Sequence, residues 1–126
     1  MNIPEVGEYV AKKMEIKTQM GLKLIPVVIE CIKLFDKKQE DYGSKNIAAF
    51  TSKDMNMLGV LFRTNDKVQR LLNLIQRRIK DGTKPNNESI QDNAMDVANY
   101  GLILNNTQVY SHVRQSQYGK YLYFLQ

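Results

Sequence analysis

Met55, Leu58, Leu61, Phe62, Val68, Leu71, Leu72, Ile75 and Ile79 recur at intervals of mostly three and four residues. That spacing sets side chains on one face of a helix with 3.6 residues per turn. It predicts a helix of about seven turns, the strongest amphipathic element in the chain. Thr51, Ser52 and Asp54 form its start, a hydroxyl cap followed by an acid in the first turn. Arg77, Arg78 and Lys80 stand near its end, where the helix dipole favours cations. Asp81-Gly82 stops it, and Pro85 lies in the following loop.

The flanking sequence also reads as helical. Pro4 suits a first helical turn, and Val6, Tyr9, Val10, Met14 and Met20 follow loosely at helical spacing as far as Gly21. Pro26 opens or kinks the next helix, residues 26–43. Val28, Cys31, Ile32 and Phe35 form its apolar stripe, and Gly43 is its C-cap. Residues 44–53 read as a polar connection. A last helix starts on Asn86 or Asn87 with Glu88 in its first turn. Its Ile90, Ala94, Val97 and Gly101 are expected to share a face that admits a close neighbour. Beyond Asn105, the Tyr-rich stretch from Tyr110 to Leu125 fits a short helix, a strand pair or an oligomer contact. The fold class is therefore all-α: one domain over residues 1–126, a helical bundle of four or more helices.

A chain of 126 residues buries a core without covalent staples. No apolar run is long enough for a bilayer, and no signal peptide is read at Met1-Asn2-Ile3-Pro4-Glu5. Single Cys31 excludes an internal disulfide and reads as a buried filler residue. A cytoplasmic location fits it. The net charge is +5, yet all 13 acids lie at or before Asp96. Basic character alone permits small anions, such as nucleoside triphosphates, as well as nucleic acid. With no basic arm and no aromatic–basic interleaving, direct nucleic-acid binding is not expected.

Glu88, Asp92 and Asp96 recur every four residues. On one helix they would stack as like charges, an arrangement that costs a few tenths of a kcal/mol per pair unless a cation is held there. Acids are also ordinary at a helix start. Carboxylate oxygens hold hard divalent ions, magnesium above all, and such ions hold phosphates. Glu88 and Asp96 would lie about 12 Å apart along the axis, too far for one ion with ligands at about 2.1 Å, while Asp92 would share an ion with either. The 26–43 helix offers Glu30 with Asp41 on one face, or Asp36 with Glu40 on another; Asp41 is favoured, with Glu30 or Glu40 second. Tyr42 beside it suits stacking on a base. Lys67 and Arg70, on one side of the long helix, suit phosphate. His112 has no partner at a fixed spacing. There is no Gly-rich phosphate loop, HExxH or nucleophile elbow.

Three blocks occur in order: Lys37-Lys38-Gln39-Glu40-Asp41-Tyr42-Gly43, then Asp66-Lys67-Val68-Gln69-Arg70-Leu71, then Asn87-Glu88-Ser89-Ile90 with Asp92, Asp96 and Ala98-Asn99-Tyr100. Together they resemble the nucleotide modification associated domain family of phage and bacteria, over residues 25–104. That family looks like a branch of the MazG and dimeric dUTPase group of all-α nucleoside triphosphate pyrophosphohydrolases. The resemblance implies a MazG-like, oligomeric fold, magnesium, and cleavage between α and β phosphates, in a phage-encoded protein of the host cytoplasm. Asp96 matches the aspartate of the group's ExxD element. Asn93 stands where that element has glutamate, and no intact ExxE occurs in residues 26–43, where Glu30 and Asp41 would be partial substitutes.

The resulting expectation is a metal-dependent nucleotide-binding protein, pyrophosphohydrolase-like, assembled as a homodimer or homotetramer. Glu88, Asp92, Asp96 and Asp41 would hold Mg²⁺, Glu88 or Glu30 would activate water, Lys67 and Arg70 would neutralise phosphates, and Tyr42 and Tyr100 would contact the base. The alternative is a non-catalytic phage protein that sequesters a nucleotide signal or inhibits a host protein. Residues 105–126 would be a tail or an oligomer contact.

Overall fold

Each helix starts on a side chain that accepts a hydrogen bond from its own first turn. Asn2 does so for α1 (Ile3–Lys13), Thr18 for α2 (Gln19–Tyr42), Ser52 for α3 (Lys53–Asp81) and Ser89 for α4 (Ile90–Asn105). These caps satisfy donors that have no partner within the helix. The computed structural model describes residues 2–43, 47–86 and 88–106. Among the described residues the protein is all-α, with four helices and no strand, and no helix is long and apolar enough to cross a membrane.

Two compact units divide the chain, one within Met1–Gly43 and the other within Ser44–Gln126. In the first, α1 packs on α2. Pro4 lies in the first turn of α1, as expected, but α1 ends at Lys13 rather than near Gly21. Glu15 adopts a left-handed conformation just beyond it, φ 53°, which an L-residue disfavours and a helix rarely continues through. Helix α2 begins at Thr18 and runs through Pro26, so the proline does not open it. Cys31 is buried, as read, and its thiol is pushed to higher pKa by burial and then by the charge of Glu30. Gly43, at φ 70°, ends the helix.

In the second unit α3 packs along α4. The limits of α3 match the sequence signals: Ser52 caps it and Gly82, in the left-handed region, stops it. Its lead-in is less polar than residues 44–53 suggested, because Ile47 and Ala48 are buried. Asn56, itself buried, holds this lead-in with two bonds to one residue. The Phe50 N–H donates to Asn56 Oδ1 (2.8 Å), and Asn56 Nδ2 donates to the Phe50 carbonyl (2.9 Å).

Helix α4 differs from expectation at both its start and its face. Ser89, not Asn86 or Asn87, is the cap. The Asp92 N–H donates to Ser89 Oγ (2.9 Å) and the Ser89 N–H donates to Asp92 Oδ2 (3.3 Å), a capping box with aspartate in the glutamate position. Glu88 therefore precedes the helix, and the three-carboxylate stripe within one helix does not exist. The buried face carries Asn93, Asp96, Asn99 and Ile103, while Ala94 and Gly101 are exposed.

Helix α3 mirrors this inversion. Its inner side presents buried Asn56 and Val60 and half-buried Thr64, Lys67, Leu71 and Leu74. Leu58, Leu61, Val68, Leu72, Ile75 and Ile79 lie exposed, with exposed Asn65 among them. The outer row alternates three- and four-residue steps from Leu58 to Ile79, the a/d spacing of a heptad repeat, with Asn65 at an a position. Residues 107–126, with His112 and the Tyr-rich tail, lie outside the described residues.

Candidate functional site

The inner seam between α3 and α4 is polar where most helix pairs are apolar, and its centre is one ammonium. Lys67 projects from the middle of α3, and Asp96 faces it from the second turn of α4. Lys67 Nζ lies 3.0 Å from Asp96 Oδ2, and the two side chains are only 14% and 9% exposed. Glu88 reaches the same ammonium from the loop before α4, with Oε2 at 3.0 Å and Oε1 at 3.3 Å. Arg70, one turn along α3, donates from a guanidinium nitrogen to Glu88 Oε2 at 3.3 Å. Glu88 is 46% and Arg70 57% exposed, so the cluster runs from a nearly dry pair to a wet rim.

The electrostatics follow from this gradient. Burial alone would lower the Lys67 pKa, but hydrogen bonds to Glu88 and Asp96 and the charge of both outweigh it, and the net pKa is raised above the usual lysine value. Two anions sharing one partly desolvated cation hold it charged.

Of the residues expected in a site, the structure therefore brings together Lys67, Arg70, Glu88 and Asp96. Asp92 is exposed and its carboxylate accepts from the Ser89 backbone in the cap. Tyr100 is half-buried on α4. Glu30, Asp41 and Tyr42 belong to α2 in the first unit and are exposed there. The oxygens of Glu88 and Asp96 are the hard donors that magnesium takes, and they already surround a cation; that cation is the Lys67 ammonium. Among the described residues, no group of three acidic, histidine or cysteine side chains is assembled for a metal.

Beside the cluster lies a cavity of about 370 Å³ walled by Arg70, Asn73, Arg77, Asn86, Glu88 and Asn93. In the sequence, Asn93 is marked only by standing where an ExxD element has glutamate. It is 0% exposed, and its Nδ2 donates to the Ser89 carbonyl at 2.9 Å. Its Oδ1 has no hydrogen-bond partner among the described residues. The signal that would have found it is the three-residue spacing of Asn93, Asp96 and Asn99, a polar stripe at helical period. No family model, curated protein or solved structure matches the chain.

Proposed function

We propose that this protein binds a nucleotide at the α3–α4 seam and belongs with the MazG-like pyrophosphohydrolases as a nucleotide modification associated domain. The supporting observation is the convergence of Lys67, Arg70, Glu88 and Asp96 from three separate segments. Two neighbouring cations, Lys67 within the seam and Arg70 at its solvent-facing rim, suit a polyphosphate. Glu88 and Asp96 are the residues that would hold magnesium once Lys67 turns to a phosphate. The ion would neutralise the phosphoanhydride and acidify a water. Asp92 is the further carboxylate of this reading within the same unit, and Tyr100 its aromatic contact.

The test is calorimetric titration of the full chain with deoxynucleoside triphosphates, with and without Mg²⁺, alongside an assay for released pyrophosphate. We expect micromolar binding strengthened by Mg²⁺, and about tenfold weaker binding in Arg70→Gln, the loss of about one charge-assisted hydrogen bond. Pyrophosphate release marks an enzyme. Binding without release marks a sequestering protein, the reading that the ammonium at the acids favours. The absence of binding by every nucleotide would sink both.

We also propose that copies of the chain associate through the outer row of α3. A single Asn among apolar a and d residues fixes register and strand number in coiled coils, because the two asparagines pair with each other. The row is thus suited to a second copy of itself. Light scattering should give a dimer or tetramer for the native chain and a monomer for Leu72→Glu. A monomeric native chain at tens of micromolar would refute the assembly.

A further inference from the structure

We infer that the cavity beside the charged cluster is where the base of the nucleotide is read, with Asn93 Oδ1 as the acceptor for a base N–H. The inference rests on the reading of the seam as a nucleotide site and adds to it the part of the ligand that phosphate contacts leave unassigned.

Asn93 lines the cavity from α4 and is fully buried. Its amide orientation is fixed, because Nδ2 donates to the Ser89 carbonyl. Its Oδ1 can only accept, and it has no donor among the described residues. Buried acceptors in native proteins find a donor, so this one calls for an N–H or O–H from outside the fold. Every common nucleobase carries an N–H donor on its Watson–Crick edge; inorganic polyphosphate bears no such donor held at a fixed distance from its charge.

The other walls agree with a planar, polar occupant. Arg77 stands seven residues after Arg70 on α3, which places it about 10 Å further along the axis. Its guanidinium is a flat surface on which a base stacks. Asn73 and Asn86 add amides to the lining, and Leu74 and Pro85 add apolar surface for the face of a ring. Arg70 and Glu88 belong both to the cavity wall and to the charged cluster. One ligand can therefore extend from Lys67 and Arg70, at its phosphates, to Asn93 at its base. The volume of about 370 Å³ falls at the small end of ligand pockets, roughly 300–1,000 Å³, the size for a base and part of its sugar.

The experiment compares inorganic triphosphate with the four deoxynucleoside triphosphates on the full chain, the native protein beside Asn93→Leu and Asn73→Trp. The native protein should bind its best nucleotide at least tenfold more tightly than inorganic triphosphate. In Asn93→Leu that advantage should disappear, while the affinity for inorganic triphosphate stays within twofold. Asn73 is exposed at the cavity wall, so Asn73→Trp blocks the space without touching the buried seam. It should erase the same advantage even if Asn93→Leu fails to fold. Equal native affinities for nucleotide and triphosphate, or an advantage that survives Asn73→Trp, would overturn the base site and leave the phosphate reading standing. Failure of inorganic triphosphate and all nucleotides to bind would overturn the nucleotide reading itself.

Discussion

Lys67→Met lowers the unfolding free energy by about 3 kcal/mol, near the lower end of what loss of one partner costs a buried ion pair. Asp96, 9% exposed, is left without its ammonium partner, whereas Glu88, half in water, rehydrates. That difference between the acids keeps the loss from being larger. Urea unfolding followed by circular dichroism measures it. The double variant Lys67→Met/Asp96→Leu should recover most of the loss, because removing both charges removes the desolvation cost along with the attraction. A single variant as stable as the native chain would mean that the seam is not held by this pair.

The pH dependence follows from the raised Lys67 pKa. Its contribution is complete below the ordinary lysine value of 10.5 and is lost as pH rises through the higher value in the fold. The stabilities of the native and Lys67→Met proteins should therefore converge only in strong alkali. Convergence near neutrality would contradict the assignment.

Asn56→Ala should cost about 2–3 kcal/mol, since it leaves both the N–H and the carbonyl of Phe50 without their partner in a part-buried setting. Asn56 is 2% exposed, so loss of its volume adds to the cost. Asn56→Asp keeps the acceptor for the Phe50 N–H and loses the donor to the carbonyl; it should fall between the native chain and alanine. Hydrogen exchange at the Phe50 amide reports the event directly. Its protection should vanish in Asn56→Ala while amides in the middle of α3 keep theirs. Unchanged protection would show that Ile47 and Ala48 hold the lead-in by packing alone.

These effects also mark what the sequence could tell. The limits of α3 were legible because the adjacent hydroxyls Thr51 and Ser52 and the stop at Gly82 bound a long period to within a residue. The start of α4 was not, because Asn86, Asn87 and Ser89 all qualify as caps. The choice fell to Ser89 through its reciprocal pairing with Asp92, a bond visible only once the backbone is placed. Periodicity showed that α3 has an apolar face but not what lies against it. The face of α3 turned to α4 is the weaker, mixed one, and the partner decides that. Lys67 stood out in the sequence by its type and its three-residue spacing from Arg70. Its engagement with Asp96 was not, since no local rule couples residues that far apart in the chain. The Glu88–Asp92–Asp96 stripe assumed one continuous helix; Glu88 and Asp96 still meet at one ammonium, by way of a loop.

That shared ammonium has a consequence for selectivity. Lys67 has three N–H donors, and its contacts with Glu88 Oε1, Glu88 Oε2 and Asp96 Oδ2 match that capacity. On the proposed reading, an incoming phosphate would have to displace a tethered carboxylate before it gained the lysine. The protein thus carries its own competitor, present at fixed effective concentration whatever the solution contains. Singly charged anions such as chloride would lose that contest, and only a densely charged guest would prevail.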